Sequence, residues 1–343
     1  MGDIYVNARF MNQVVTGVQR YAWEITNHLR DRVHIIQPGK SFSGEAGHFW
    51  EQIVLPGRMP RNALLWSPAG AGPLLVSKQV VTLHDIAHLE HPEWYSSKFA
   101  AWYRWLLPKL TRRVEHILTV SEYSRSRIIE ILNVSPEKVS VVNCGIENHF
   151  FQVSPKQIRR VRQKYGLHGD YILSVSSISP RKNFERIFKA WKIINTKYKH
   201  VSLVIVGSRN LAFAANKELG KLPERTIITG YVEGQDLPAI YAGALSFIYP
   251  SLYEGFGIPI LEAMATGTSV VTSNTTSMPE VAGDAAIYVN PYEVKSIAEG
   301  IERVIEEKKL REELEKKGKI RCKQFSWKRS SEQIWKILST YAE

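Results

Sequence analysis

Short apolar segments alternate with longer amphipathic stretches along the whole chain. Residues 4–6 form the first apolar segment, and an amphipathic stretch follows over 18–29. Short apolar or β-branched segments bounded by polar and turn residues predict strands, while apolar residues recurring every three or four positions predict helices. The first half adds predicted strands at 33–37, 79–83, 116–120 and 139–142 and a predicted helix at 124–132.

The alternation stops after Phe151, where residues 156–164 are polar and basic, and resumes with an apolar segment at 171–175. We therefore place a domain boundary between residues 165 and 166. The second half predicts strands at 201–206, 226–229, 246–249 and 269–272, and helices at 184–197, 236–242, 258–265, 294–321 and 326–341. This repeated alternation predicts an α/β protein with two doubly wound, Rossmann-like domains, 1–165 and 166–325.

Charge and cysteine content narrow the environment of the protein. The 343 residues have a formal net charge of +12, and the first 165 carry 21 Lys+Arg against 13 Asp+Glu. This excess indicates an anionic partner, and composition leaves nucleic acid, a membrane surface and a phosphorylated substrate open. Cys144 and Cys322 show no metal-ligand or redox spacing, which predicts a reducing compartment. Because we see neither a signal peptide nor a spanning apolar stretch, we expect a cytoplasmic protein.

Several motifs that would indicate other chemistry are incomplete. The Gly-Lys-Ser at 39–41 lacks the first glycine of a P-loop, and the Gly-Ala-Gly at 70–72 lacks the third glycine of a dinucleotide fingerprint. The sequence has no Gly-X-Ser-X-Gly motif and no Asp-X-Asp pair that could bridge a divalent metal to a diphosphate. These absences weaken the interpretations as a hydrolase and as a metal-dependent transferase.

Residues 249–264 combine an anion site with two carboxylates. A predicted strand is followed by a glycine-rich turn, and a helix is predicted to begin near Ile258. Main-chain amides at the start of a helix bind phosphate. Glu254 precedes the turn, and Glu262 lies one turn inside the helix, where it could accept hydrogen bonds from both hydroxyls of a ribose. Phosphates flanked by hydroxyls on both sides are the pattern of a nucleotide sugar.

This stretch resembles the signature of the retaining glycosyltransferases of family 4, which share the GT-B fold of two Rossmann-like domains facing a central cleft. The resemblance extends to 176–183, 236–242 and 273–284 and covers nearly the whole chain. It implies that the domain 1–165 binds the acceptor and is completed by the C-terminal helix 326–343. The domain 166–325 would bind the nucleotide-sugar donor.

Within the second domain, the resemblance implies that Glu262 binds the nucleotide ribose and that Glu254 contacts the donor sugar. Arg181 and Lys182 match the basic pair that neutralises the diphosphate leaving group, so we expect no metal and no other cofactor. Positioned cations and a helix start would then stabilise the charge that develops in the transition state. The main-chain amides expected to contact sugar hydroxyls and phosphate are those of Phe256, Gly257 and Ile258.

In the first domain, residues 16–20 resemble the glycine loop of the family, in which Gly17 lets the backbone approach the transferring sugar. His84 follows a predicted strand and resembles the family's histidine beside the donor sugar. The carboxyl end of a strand in an α/β domain favours a functional position for this histidine. We expect Arg20 and Asp85 to lie on the acceptor side.

Residues 94–113 interleave basic and aromatic side chains and contain no acidic residue. Among them, Lys98, Trp102, Arg104 and Trp105 are candidates for the acceptor or membrane side. A basic, aromatic amphipathic helix can lie on an anionic bilayer, which would place the enzyme beside a lipid-linked acceptor. The alternative is that the rings belong to the core and the cations to a solvated helix face.

The resemblance implies transfer with retention of anomeric configuration. The segments 179–183 and 273–286 look most like bacterial mannosyltransferases that build O-antigen or capsule chains, so GDP-mannose is the expected donor. The expected acceptor is a saccharide. Its linkage to undecaprenyl diphosphate and peripheral contact with an anionic membrane are further hypotheses. UDP- and dTDP-sugars remain alternative donors. Rival classes are a sucrose- or trehalose-synthase-like transferase and a polyanion-binding protein, although no nucleic-acid motif supports the latter.

Overall fold

The computed structural model describes residues 2–39, 44–176, 179–207 and 222–343. They form two compact units, Met1–Gly145 together with Phe325–Glu343, and Ile146–Gln324. Each unit contains one six-stranded sheet in which neighbouring strands are parallel. Residues 40 and 41 of the incomplete P-loop segment and residues 177 and 178 of the segment 176–183 lie outside the described residues.

The sheet of the first unit has the order β2-β1-β3-β4-β5-β6. Its strands are β1 Ile4–Asn7, β2 His34–Ile36, β3 Leu64–Ser67, β4 Gln79–Thr82, β5 His116–Thr119 and β6 Val139–Val141. Ile4 of β1 pairs in register with Leu64 of β3. Strand β3 was not among the predicted strands, and all four of its residues are buried, as in a parallel sheet covered on both faces.

Helices connect these strands in the first unit. A capping box between Thr16 and Gln19 starts α1, and the hydroxyl of Ser121 caps α6 by accepting a hydrogen bond from the amide of Ser124. A π-helical turn, Trp50–Val54, joins α2 to α3. The bounds are α1 Gly17–His28, α2 Gly44–Phe49, α3 Leu55–Arg58, α4 Ala87–Glu90, α5 Ser97–Arg113 and α6 Glu122–Leu132.

The sheet of the second unit has the order β12-β11-β10-β7-β8-β9. Its strands are β7 Asp170–Val175, β8 Val201–Val206, β9 Thr226–Gly230, β10 Ser246–Tyr249, β11 Ser269–Ser273 and β12 Ala286–Val289. Its described helices are α7 Pro155–Lys164, α8 Phe184–Ile194, α9 Leu237–Ala242, α10 Ile258–Thr266, α11 Met278–Ala282, α12 Val294–Glu306 and α13 Lys308–Cys322. Helix α8 packs against α12, and Trp191 of α8 is completely buried in the core between them and the sheet.

The boundary between the units falls at residues 145 and 146, not at 165 and 166 as the sequence indicated. The polar, basic segment 156–164, which the sequence assigned to the end of the first domain, is part of helix α7, and Ser154 and Gln157 cap this helix at its start. Arg160 and Lys164 of this helix bind the buried carboxylate of Asp236 at 2.8 and 2.7 Å. These ion pairs therefore attach α7 to the second unit. In the sequence alone, the same basic residues looked like the end of a domain.

The C-terminal helix, Trp327–Ala342, belongs to the first unit. The ring of Trp327 contacts that of Tyr21 on α1 with centroids 6.0 Å apart, and the hydroxyl of Ser330 donates to the carbonyl oxygen of Asn143 at 2.7 Å. The long helix predicted over 294–321 is interrupted at Glu307, whose backbone leaves the helical region with ψ at 77°. Two helices, α12 and α13, result.

His116 on β5 also attaches the C-terminal helix and predicts how acid acts on the first unit. Its ring nitrogens lie 2.8 Å from the Ser140 hydroxyl and 3.0 Å from that of Tyr341. Burial, assisted by the charge of Lys138, lowers the pKa of His116 to about 4. The unfolded chain, with a histidine pKa of about 6.5, therefore binds this proton first, and stability is lost as pH falls from about 6.5 towards 4.

We expect His116→Gln to make this loss shallower. In the native protein, His116 is expected to lower the free energy of unfolding by about 1–2 kcal/mol at pH 5, relative to neutral pH. Urea unfolding midpoints measured at neutral pH and at pH 5 would show it. If acid lowered the unfolding midpoint equally in both proteins, the loss of stability would be assigned to the other buried histidines of the unit.

Candidate active site

The carboxyl edge of the second sheet holds the glycine-rich turn of the sequence motif. Strand β10 ends at Tyr249, and Gly257 caps α10 with φ at 108°, in the left-handed region that favours glycine. The hydroxyl of Ser277 lies 2.9 Å from the carbonyl oxygen of Glu254 and 2.8 Å from that of Phe256. Ser277, in the segment after β11, therefore fixes the turn. The turn lies at the edge of the sheet where parallel α/β sheets bind ligands.

Two cations converge on Glu254 in this turn. The Nζ of Lys182 lies 2.6 Å from Oε1 of Glu254, and an Nη of Arg181 lies 3.6 Å from Oε2. Lys182 and Glu254 are only 8% and 6% exposed. Burial acts to raise the pKa of Glu254, but the charges of Lys182 and Arg181 outweigh it and hold that pKa below its usual value. We call Arg181, Lys182 and Glu254 the cation cluster, because it carries a net positive charge.

Tyr249 supports the cation cluster and was not among the predicted site residues. Lys182 donates a hydrogen bond to the Tyr249 hydroxyl, and its Nζ lies 4.8 Å from the centre of the ring. Burial and the charge of Glu254 raise the pKa of Tyr249 well above its usual value, so the phenol stays neutral. Asn183, with φ at 62°, donates to the carbonyl oxygens of Pro250 and Pro291 and anchors the loop that carries Lys182.

Glu262 lies on α10, as predicted, and is buried. Its Oε2 accepts a hydrogen bond of 2.8 Å from the hydroxyl of Tyr241 on α9. The structure thus brings Arg181, Lys182 and Glu254 into direct contact, whereas Glu262 sits on the following helix with a different partner. Within the described residues, the buried hydroxyls of Ser179 and Thr275 at this edge have no hydrogen-bond partner and could serve phosphate or sugar oxygens.

Around the turn, Phe256 and Gly257 are buried and Ile258 is half-buried at the start of α10. This part of the site is formed by main-chain groups at the start of a helix. Such groups suit anions, because of both their geometry and the helix dipole. In the described part of the chain, no group of three or more His, Cys, Asp or Glu side chains is arranged to hold a metal ion.

In the first unit, Gly17 is the exposed first residue of α1, and Arg20 lies half-buried on the same helix. A Cβ atom added to Gly17 would meet no atom within 4 Å, so packing within the unit does not require glycine there. A glycine that the fold does not need fits a position that a ligand approaches closely.

His84 follows β4, and its Nε2 lies 2.9 Å from the carbonyl oxygen of Pro68. A ring nitrogen that faces a carbonyl carries the proton, which leaves Nδ1 as an acceptor. Burial lowers the pKa of His84, although Pro68 and Asp85 oppose it, so the imidazole is neutral near pH 7. Asp85 accepts a hydrogen bond of 3.1 Å from the amide of Ala87 and starts α4.

The basic, aromatic segment forms helix α5, which begins at Ser97. Lys98, Arg104 and Trp105 are exposed, whereas Trp102 is half-buried. Tyr103 of this segment is a core residue, because helical spacing puts it on the same face as Leu106, Leu107 and Leu110. Every helix in the described ranges is too short or too polar to span a bilayer.

Two glycine-to-alanine changes separate the structural and functional uses of glycine. Gly257→Ala is expected to destabilise the protein by about 1–2 kcal/mol, because its φ is left-handed and the new Cβ would lie 3.3 Å from Cδ1 of Ile260. Gly17→Ala should leave the unfolding midpoint unchanged but lower kcat/KM for transfer. Urea unfolding and initial rates on both variants test this, and a fully active Gly17→Ala would show that no substrate approaches that Cα.

The comparisons with known proteins agree with this fold. The family model "Glycosyl transferases group 1" matches residues 157–321, and "Glycosyltransferase Family 4" matches residues 61–150. O-antigen chain mannosyltransferase B of Escherichia coli is 34% identical over 270 residues, 76% of this chain and 70% of that protein. The serotype-specific mannosyltransferase WbdA of Escherichia coli is 29% identical over 73% of this chain, which spans only 32% of WbdA.

A solved structure matches the whole chain. The crystal structure of Anabaena HepE in complex with UDP and glucose has a TM-score of 0.75 and 18% identity, covering 99% of this chain and 100% of that chain. Fold and site thus define a GT-B glycosyltransferase. The chain belongs to glycosyltransferase family 4. The predicted fold class and the predicted activity as a hexosyltransferase are therefore confirmed.

Proposed function

We propose that this chain is a retaining mannosyltransferase of bacterial surface-polysaccharide synthesis that takes mannose from GDP-mannose without a metal ion. Its sequence relatives include O-antigen mannosyltransferases, which supports mannose as the sugar. The observation that carries the proposal is the cation cluster. It holds two positive side chains at the edge of the second sheet, next to a helix start.

The leaving nucleoside diphosphate accumulates negative charge as the bond to the sugar breaks. Lys182 and Arg181 supply fixed positive charge for it, and the amides at the start of α10 add oriented dipoles. Because these groups are already in place before the substrate arrives, little reorganisation is needed during reaction. Glu254, kept ionised by its two partners, would accept hydrogen bonds from hydroxyls of the donor sugar.

The remaining roles follow from position and chemistry. Glu262 would accept hydrogen bonds from the two ribose hydroxyls, since the two oxygens of a carboxylate can together accept several hydrogen bonds. Gly17 and the neutral imidazole of His84 would contact the transferring sugar. The acceptor hydroxyl would attack on the face from which the diphosphate leaves, with a phosphate oxygen taking its proton, so that no protein nucleophile is required.

The acceptor is proposed to be a saccharide linked to a lipid diphosphate at the inner face of the cytoplasmic membrane. The exposed cations of α5, together with the exposed ring of Trp105, support contact with anionic lipid. Lys109 lies over that ring at 3.9 Å, which places charge and aromatic surface on the same side of the helix.

Calorimetric titration in the presence of a metal chelator tests the donor. We expect GDP and GDP-mannose to bind more tightly than UDP, dTDP and their sugar conjugates. Preference for UDP or dTDP compounds would overturn the donor while leaving the family intact, and binding only after addition of a divalent metal would overturn the metal-independent mechanism. The anomeric configuration of the product, read by NMR, tests retention separately.

A further inference from the structure

An apolar groove of about 590 Å³ opens in the first unit between two helical segments. One wall is α2 with the π-helical turn after it, and the other is the start of α5. Phe49 and Ile53 on the first wall are 61% and 54% exposed, and Phe99 on the second is 38% exposed. Trp102 also lines the groove. Large apolar side chains that cluster in a concave surface and stay exposed indicate a binding site.

The wall that carries Phe49 and Ile53 is anchored from its other side. Glu51 is only 2% exposed, and its Oε1 accepts a hydrogen bond of 2.8 Å from Asn7 at the end of β1. Arg9 lies 3.6 Å from the same oxygen. A buried, hydrogen-bonded carboxylate inside an irregular helical turn fixes the rotation of the segment. The exposure of the two apolar residues is therefore built into the fold.

Gln52, which also lines the groove, is held by main-chain groups. The side-chain amide of Gln52 donates to the carbonyl oxygen of Gly72 at 3.0 Å and accepts from the amide of Leu74 at 3.0 Å. Since this amide is engaged by the main chain on both its oxygen and its nitrogen, it contributes little to a polar ligand. Phe49, Ile53, Phe99 and Trp102 give the groove an apolar surface that favours a hydrocarbon chain, which has no hydrogen bonds with water to lose on entering.

The charge at the rim points to an anionic head on that chain. Lys98 lines the groove, and Arg104 is exposed further along α5, which contains no acidic residue between Ser97 and Arg113. Glu45 lies 3.6 Å from Lys98, and both side chains are about nine-tenths exposed, so solvent screens this pair. An apolar groove with Lys98 at its rim, on a helix whose charged side chains are all basic, is complementary to a hydrocarbon chain that ends in phosphate.

We propose that this groove binds the hydrocarbon chain of the phosphate-linked lipid that carries the saccharide acceptor. The proposal rests on the proposed function for the lipid-linked nature of the acceptor. The groove would hold the chain while the cations of α5 meet its phosphate groups. Phe49 and Ile53 then determine how strongly the enzyme prefers a long lipid over a short one.

The direct test is binding of butyl phosphate and dodecyl phosphate, below micelle formation, to the full-length protein by calorimetry. We expect dodecyl phosphate to bind at least tenfold more tightly than butyl phosphate, and the double variant Phe49→Ser/Ile53→Ser to lose most of this difference. Ile131→Ser, which changes an apolar residue that is 43% exposed on α6, is the matched control and should keep it. Equal chain-length dependence in the double variant and in the native protein would overturn the proposal.

Two further measurements distinguish lipid binding in the groove from bilayer docking and from the proposed function. Native protein that binds anionic phospholipid vesicles but shows no chain-length dependence with the monomeric phosphates would indicate bilayer docking and overturn the groove. With the same saccharide on long and short lipid phosphates, the double variant should lose kcat/KM about tenfold or more for the long acceptor only. Absence of transfer from GDP-mannose to either acceptor would overturn the proposed donor, while the binding series would still decide the groove.

Discussion

Lys182→Ala is expected to lower kcat for sugar transfer by about two to three orders of magnitude, the scale measured when one preorganised charge-stabilising group is removed from an active site. Lys182 is buried, and its Nζ is fixed between Glu254 and the Tyr249 hydroxyl. The KM for the donor should change much less than kcat, because the negative charge on the leaving group grows mainly in the transition state. Initial rates over a range of donor concentrations measure both.

The same variant leaves Glu254 with only the more distant Arg181 as its cationic partner. Removing one member of a buried pair is destabilising, so the unfolding midpoint must be measured beside the rate. Lys182→Ala/Glu254→Gln removes the orphaned charge and should recover stability without recovering kcat. Lys189→Ala, which breaks an exposed pair with Glu185 on α8, is the control and should change neither quantity. A folded Lys182→Ala enzyme with native kcat would contradict the proposed role.

Glu262→Ala should raise the Kd for the nucleotide about 100-fold or more, with or without the sugar attached. Two hydrogen bonds from ribose hydroxyls to a charged acceptor, at about 1.5–3 kcal/mol each, account for an effect of this size. Because the change also leaves the buried Tyr241 hydroxyl without its partner, a loss of roughly 1–3 kcal/mol in the free energy of unfolding is expected as well.

Calorimetry with the free nucleotide, at a temperature where the variant is fully folded, separates these effects. Tyr241→Phe keeps the Glu262 carboxylate and should retain most of the nucleotide affinity. Glu299→Ala removes an exposed glutamate of α12 and should behave as the native protein. Native affinity in folded Glu262→Ala would place the ribose elsewhere.

Strand and helix positions in the second unit followed closely from the sequence. The predicted strands 201–206 and 246–249 coincide with β8 and β10, and helix α10 begins at the predicted Ile258. Short apolar segments bounded by turn residues are typical of the buried strands of a parallel sheet. The glycine-rich turn was equally readable, because Gly257 adopts a backbone conformation that other residues rarely take.

The errors share one physical origin, since each depended on contacts between residues far apart in the chain. Helix α7 was assigned to the first domain because its cations are matched by Asp236, which lies more than 70 residues later. In the segment 94–113, tertiary packing decides that the ring of Tyr103 is buried while that of Trp105 is exposed. Tyr249 was overlooked because a tyrosine at the end of a buried strand carries no local signal of its contact with Lys182.

The amino-acid sequence alone determined the alternation of strands and helices, the glycine-rich turn and the two glutamates of the donor motif. These features depend on local spacing and backbone preference. Only the tertiary structure decided that Arg181, Lys182 and Glu254 form one buried cluster, that the chain divides after Gly145, and that Phe49 and Ile53 stay exposed beside α5. Those outcomes depend on which side chains from distant parts of the chain come into contact, because several segments together determine the burial and the charge of each residue.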